Sequence, residues 1–177
     1  MDASDVLAQE RFSIAPEETY RTLEPKLAAL GTTLLVRVLD EFRAGVQKAV
    51  PQDETLVTLA RKLTKEDGWV DLTLPAETLR NRLRGFSPWP GATTVLPGGA
   101  LLKIHEMRVE AGVENAVPGT VLEAAGAGPL VATGRGALRL TQVQPAGKKS
   151  MPGAAFLCGY RLPVGERLGA EPSQAKA

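Results

Sequence analysis

Five short strand-like runs, broken by turns, fill residues 93–144 and constrain the fold more than any other feature of the chain. They are TTVL (93–96), ALLKIHEMRVE (100–110), PGTVLEAA (118–125), PLVAT (129–133) and GALRLTQVQ (136–144). Pro-Gly and Gly-rich stretches separate them, the signature of antiparallel strands joined by tight turns. Strands this short at this spacing predict a small closed barrel, because closure protects strand edges that would otherwise pair with other chains. In the second run Leu102 and Ile104 share one alternation phase, whereas Met107 and Val109 share the other. That slip predicts a bulge near His105 and places the histidine on the strand surface or in the bulge, in preference to a catalytic role. Gly134-Arg135-Gly136 is a hairpin turn; no helix follows it, so it is not a dinucleotide fingerprint. The loop QPAGKKSMP (144–152) carries Lys148 and Lys149, and GAAFLCGY (153–160) reads as a short terminal helix.

The segment before the strands is helical. In PAETLRNRLRGF (75–86), Leu79, Leu83 and Phe86 form one apolar stripe, Pro75 suits the first turn, and Gly85 and Ser87-Pro88 are expected to stop the helix. Arg80 and Arg84, four residues apart with Arg82 nearby, form either a solvated face whose stems cover the core or a phosphate-facing ridge. The corner SPWPG (87–91) has proline on either side of Trp89, which restricts Ser87 and Trp89 and leaves Gly91 to turn the chain. The preferred role for Trp89 is a structural anchor that pins helix 75–86 against the barrel, ahead of base stacking. Further upstream, VLAQERFSI (6–14) reads as a short strand. A long helix follows from Tyr20 to Arg43, with Thr19 as N-cap, Pro25 either in its first turns or dividing a short leading turn from the main helix, and Gly45 closing it. One strand and one helix cannot bury their own apolar faces, so this part resembles the tail of a larger layered α/β domain. Residues 49–72 have little periodicity and read as an extended linker, partly structured from Thr55 to Leu63, bearing Arg61, Lys62 and Lys65.

Composition excludes several classes of function. The 177 residues hold one cysteine, Cys158, and one histidine, His105, so no internal disulfide and no multi-histidine zinc site can form. No apolar run reaches the roughly 18 residues that a membrane-spanning helix needs, and Asp2 and Asp5 are wrong for a secretory signal. No Ser-His-Asp triad can be assembled around Ser87. The net charge of +1 conceals an asymmetry: residues 1–60 carry 6 Lys and Arg against 10 Asp and Glu, and residues 61–177 carry 15 against 10. The second part is the better candidate for a polyanion partner, although a bland solvated surface also accounts for a modest excess.

LRGFSPWPGATT resembles the corresponding segment of methionyl-tRNA formyltransferases, with Gly85 and Ser87 where that family usually has alanine and asparagine. The resemblance continues in order through PQDETLVTLARKLTKEDGWVDL, PGTVLEA, LVATGRGALRLTQVQPAGKK and FLCGYRL, and reaches back to Val6. It implies an α+β architecture: residues 1–46 are a strand–helix remnant of a Rossmann-like formyltransferase domain, and residues 47–72 are an interdomain linker. Residues 73–168 would be an OB-like small β-barrel C-terminal domain, and 169–177 a disordered tail. The family formylates the amino group of methionine on initiator tRNA with 10-formyltetrahydrofolate as donor, in translation initiation and in the cytoplasm. MDASD looks like the family's LDTGD, which implies that Asp2 matches the catalytic carboxylate. The chain carries no counterpart of the family's Asn and His catalytic segment or its folate pocket, so it is expected to hold no cofactor and to formylate nothing alone. Formyl transfer needs a base for the attacking amine and donors for the developing oxyanion, and one carboxylate supplies neither the donors nor the pocket.

The expected contribution is therefore tRNA contact through Arg61, Lys62, Lys65, Arg80, Arg84, Lys148 and Lys149, with initiator tRNA and the missing catalytic domain as partners. Two alternatives stay open. One is a fragment of a related nucleotide-sugar formyltransferase, which holds no tRNA. The other is a non-functional truncated reading frame whose unpaired strand and long apolar helix at 6–44 promote association or stay partly molten.

Overall fold

The computed structural model describes residues 4–113 and 115–169, so Asp2 lies outside the described residues, as do 170–177 of the expected tail. The chain divides into two compact units, residues 1–62 and 63–177.

In the first unit, α1 (Tyr20–Arg43) begins where Thr19 caps it: the Thr22 amide donates to Thr19 Oγ1, and the Thr19 amide donates back to Thr22 Oγ1 at 3.0 Å. Gly45, at φ 70°, turns the chain away at the other end. Pro25 lies inside the helix, and no residue of α1 is buried. The expected strand at 6–14 does not form. Val6 makes a single antiparallel bridge with Val50, through N···O distances of 2.8 and 3.0 Å, and residues 7–14 pair with nothing as a ladder. A strand is stable only where neighbours accept its backbone groups, and alternation alone does not supply them. Between Thr55 and Leu63 regular structure is limited to the end of a 3₁₀ turn, Glu54–Leu56. There Asp53 accepts from the Thr55 amide and hydroxyl, which holds its carboxyl below the ordinary range.

The second unit opens with a 3₁₀ turn, Lys65–Gly68, followed by α2 (Ala76–Phe86). Six strands come next: β1 (Ala92–Val95), β2 (Leu101–Glu110), β3 (Val121–Ala125), β4 (Gly128–Ala132), β5 (Ala137–Pro145) and β6 (Met151–Pro152). A short α3 (Gly153–Gly159) completes the elements. The sheet is antiparallel in the order β1-β2-β5-β4-β3, with β6 on β5. The bulge falls at the anticipated place: register shifts on either side of Glu106 let Ile104 and Met107 both face inward, while His105 stays exposed.

No ladder joins β1 to β3 among the described residues. Chain segments occupy those two margins instead. Val121 and Leu168 amides donate to Glu166 and Gly119 carbonyls, and the Gly169 amide donates to Val95 O at 2.9 Å. On β1, Val70 N donates to Thr93 O at 2.9 Å. Gly169, expected to open a disordered tail, is thus hydrogen-bonded to β1. Inside lie Leu102, Leu138, Leu140, Val121, Val131, Val143 and Phe156, with Leu79 and Leu83 of α2 packed on them. Phe156 stacks on Tyr160 with ring centroids 4.7 Å apart.

The turn between β4 and β5 anchors the start of α2. Gly134 N donates to the carbonyls of Leu72 and Leu74, and Ala76 N donates to Arg135 O at 3.0 Å. Pro75 occupies the N-cap position, one residue outside the helix.

One buried cation ties four strands together. Arg139 on β5 donates from Nε and Nη2 to both carboxylate oxygens of Glu110, at 2.9 and 2.8 Å. It also donates to Glu123 at 2.9 Å and to the carbonyl of Gly128 at 3.0 Å. These bonds hold the Glu110 carboxyl below its ordinary value of 4.5, with the hydrogen bonds to Arg139 as the largest cause. A carboxylate whose folded value is depressed stabilises the fold above its unfolded value. We expect stability that is level above about pH 4.5 and falls as the pH drops below it, measured by urea unfolding at several pH values. The Arg139→Met variant should show a shallower decline.

Candidate nucleic-acid interface

A groove of about 660 Å³ opens on the outer face of the second unit, between the 3₁₀ turn, the SPWPG corner and the start of β2. Its floor follows from strand pairing. Trp69 bridges Thr93, Thr93 pairs with Lys103, and Lys103 pairs with Gln144. The neighbours in each strand, Thr94, Leu102 and Val143, are buried in the core. Side chains alternate across a sheet, so the row Trp69-Thr93-Lys103-Gln144 faces outward.

Two local features hold the groove's walls. At the turn, Thr64 N donates to Asp67 Oδ2 at 2.7 Å. Gly68 packs directly on the corner, where an added Cβ would lie 3.1 Å from Pro90 O. At the corner, both Ser87–Pro88 and Trp89–Pro90 are cis, and Gly91, at φ 81°, donates to Phe86 O at 2.9 Å. On the far side Gln144 Oε1 accepts from His105 Nε2 at 3.0 Å and Gln144 Nε2 donates to Lys148 O at 2.8 Å, which ties down the 145–149 loop.

Trp89 does not act as the expected anchor. It is 56% exposed and lies outside the core. Helix α2 is held instead by Leu79 and Leu83 and by the backbone bonds of the corner, so the indole is free to line the groove.

The basic candidates separate into groups. Lys65 lines the groove, and exposed Lys148 and Lys149 follow directly on its lining residues Ala146 and Gly147. Arg80 and Arg84 do not line it. Arg80 pairs with Glu77 at 3.7 Å, and Arg84 donates to Asn81 at 2.9 Å. Arg61 and Lys62 belong to the first unit, where Arg61 Nη1 donates to Lys62 O at 3.3 Å. Trp69 and Lys103 were not anticipated as site residues. The alternation of β2, with Leu102 and Ile104 inward, was the available signal for an outward Lys103. Among the described residues no cluster of His, Cys, Asp and Glu could hold a metal ion, and no helix is long and apolar enough to cross a membrane.

The sequence comparisons place this antiparallel sheet and the helix packed on its core in a family. Residues 62–161 match the family described as formyl transferase, C-terminal domain. The chain belongs to that family. It is 45% identical over 167 residues to the methionyl-tRNA formyltransferase of Myxococcus xanthus (strain DK1622), covering 94% of this chain and 53% of that protein. With the methionyl-tRNA formyltransferase of Koribacter versatilis (strain Ellin345) it shares 44% identity over 170 residues, 96% of this chain and 53% of the relative. The chain therefore spans about half the length of the curated relatives it matches. HypX from Aquifex aeolicus, solved in complex with tetrahydrofolic acid, has a similar fold. Its TM-score is 0.60 at 21% identity, over 88% of this chain and 28% of HypX.

Proposed function

We propose that this chain is the C-terminal part of a methionyl-tRNA formyltransferase and contributes contact with the phosphates of initiator tRNA in the cytoplasm. The observation that carries this is the meeting of Lys65 with the Lys148–Lys149 loop around one open groove, in a chain whose relatives are named for a tRNA substrate. On this reading the strand-rich unit is the OB-like domain, and α1 is what remains of a Rossmann-like catalytic domain. Residues 47–72 link them, with Arg61 and Lys62 as further contacts, while Arg80 and Arg84 contribute less because of their local partners. Asp2 keeps its family match to the catalytic carboxylate. The formyl donor, 10-formyltetrahydrofolate, belongs to the complete enzyme, and this chain formylates nothing by itself.

Phosphate contact makes affinity depend on salt, because each neutralised phosphate releases counterions. In a gel-shift titration of tRNA at rising salt, the Lys148→Ala, Lys149→Ala double variant should bind more weakly and lower the salt slope by roughly 1 to 2. The same preparation, given charged initiator tRNA and formyl donor, should show no turnover above buffer. An unchanged slope would remove the loop from the tRNA surface and favour the nucleotide-sugar alternative.

A further inference from the structure

The chain has two tryptophans, and both line one groove, 45% and 56% exposed. The same domain buries Phe156, Leu102, Leu138 and Leu140 almost completely, so it does not lack the means to cover large apolar groups. Bare indoles converging on a concave site mark a binding surface. Their neighbours are cationic: Lys65 and Lys103 line the groove, and neither makes an ion pair within 4.0 Å among the described residues. One carboxylate, Glu66, shares the lining, which leaves the groove net positive.

This combination selects its occupant. Free phosphate would use the lysines and waste the indoles, and a proline-rich peptide would do the reverse. A nucleic-acid duplex offers phosphates but hides the faces of its bases in the stack. An unpaired nucleotide offers both, a flat π-face for an indole and a phosphate for an ammonium group. The lateral row places Lys103 two positions across the sheet from Trp69, with Thr93 between them, so cation and ring share one surface.

We propose that the Trp69–Trp89 groove is a stacking site for an unpaired nucleotide of the RNA partner, with Lys65 and Lys103 on its phosphates. This rests on the tRNA reading above and refines it: part of the RNA contact is made to single-stranded rather than helical RNA. Because stacking accepts any base, the site reads strandedness and not sequence.

Intrinsic tryptophan emission reports on this groove alone, since the chain has no other indole. The full chain is titrated with a single-stranded adenylate hexamer, a blunt RNA duplex of equal length, a proline-rich peptide and initiator tRNA. The hexamer and the tRNA are expected to quench the emission, and the duplex and the peptide to leave it unchanged. Trp69→Ala and Trp89→Ala should each weaken hexamer binding about tenfold, measured by fluorescence anisotropy of a labelled hexamer, and Trp89→Phe should recover part of the loss. Lys103→Ala should lower the salt slope by about 1. Quenching by the duplex as strong as by the hexamer, quenching by the peptide, or no response to the hexamer overturns the proposal. Salt-sensitive tRNA binding without any change in emission refutes stacking while leaving tRNA contact intact. Absence of tRNA binding in the gel shift, with the hexamer still quenching, refutes the tRNA reading instead.

Discussion

Replacing Arg139 with methionine is expected to destabilise the second unit by about 3 kcal/mol and to lower its thermal midpoint by roughly 10 °C. Methionine retains much of the aliphatic volume, so the loss isolates the guanidinium. Removing it strands Glu110 and Glu123 beside each other and leaves the Gly128 carbonyl without its charged donor. Breaking a buried pair by deleting one partner costs about 3–5 kcal/mol where the remaining charge has no access to water. Here the two carboxylate side chains are 39% and 46% exposed and rehydrate in part, which places the value at the lower end. Urea unfolding followed by tryptophan emission measures it, because both indoles belong to this unit. A shift under about 1 kcal/mol would mean the triad is only a surface ion pair.

The second large effect concerns one glycine beside another that behaves oppositely. At Gly134 an added Cβ would overlap the carbonyl oxygen of Thr73. The turn would have to lift away from residues 72–74, with loss of the Gly134 bonds to Leu72 and Leu74 and of the Arg135 carbonyl that receives the first amide of α2. Gly134→Ala should therefore cost about 3 kcal/mol or more. Gly85 does not stop the helix as the sequence suggested: it lies inside α2, which runs on to Phe86 with Ser87 as C-cap, and a Cβ there meets nothing within 4 Å. Gly85→Ala should stabilise the helix by about 0.5–1 kcal/mol. Unfolding curves on the two variants give opposite signs for the same chemical change. Equal effects would show that the turn is not in contact with the 72–74 segment.

What the sequence disclosed, and what it withheld, divides along the range of the interactions. Helix 76–86, the strands between glycine turns and the bulge at His105 are local patterns, and each was legible from alternation or helical spacing. The groove was not, because Trp69, Lys103 and Gln144 meet only through lateral strand pairing. That β2 lies between β1 and β5 follows from no short stretch of residues. Arg139 was passed over for the same reason: its partners, Glu110 and Glu123, come from other strands. The strand expected at 6–14 failed in the opposite direction. Its alternation was present, but only Val6 has a backbone partner, Val50. Trp89 was read by its proline neighbours as a pin, whereas those neighbours fix the backbone and leave the ring in solvent.

The margins of the sheet give the domain a schedule as well as a shape. β1 is among the first strands to leave the ribosome, yet the amide that bonds Val95 belongs to Gly169, and β3 relies on Gly165 and Glu166. Hairpins of the nascent chain can form early, but β3 and the Val95 end of β1 remain uncovered until the last of these residues emerges. During that interval the growing polypeptide exposes two sticky borders to its neighbours on the polysome. A chaperone or a slow stretch of translation would matter most there, between the synthesis of the final β-strand and the release of Gly169.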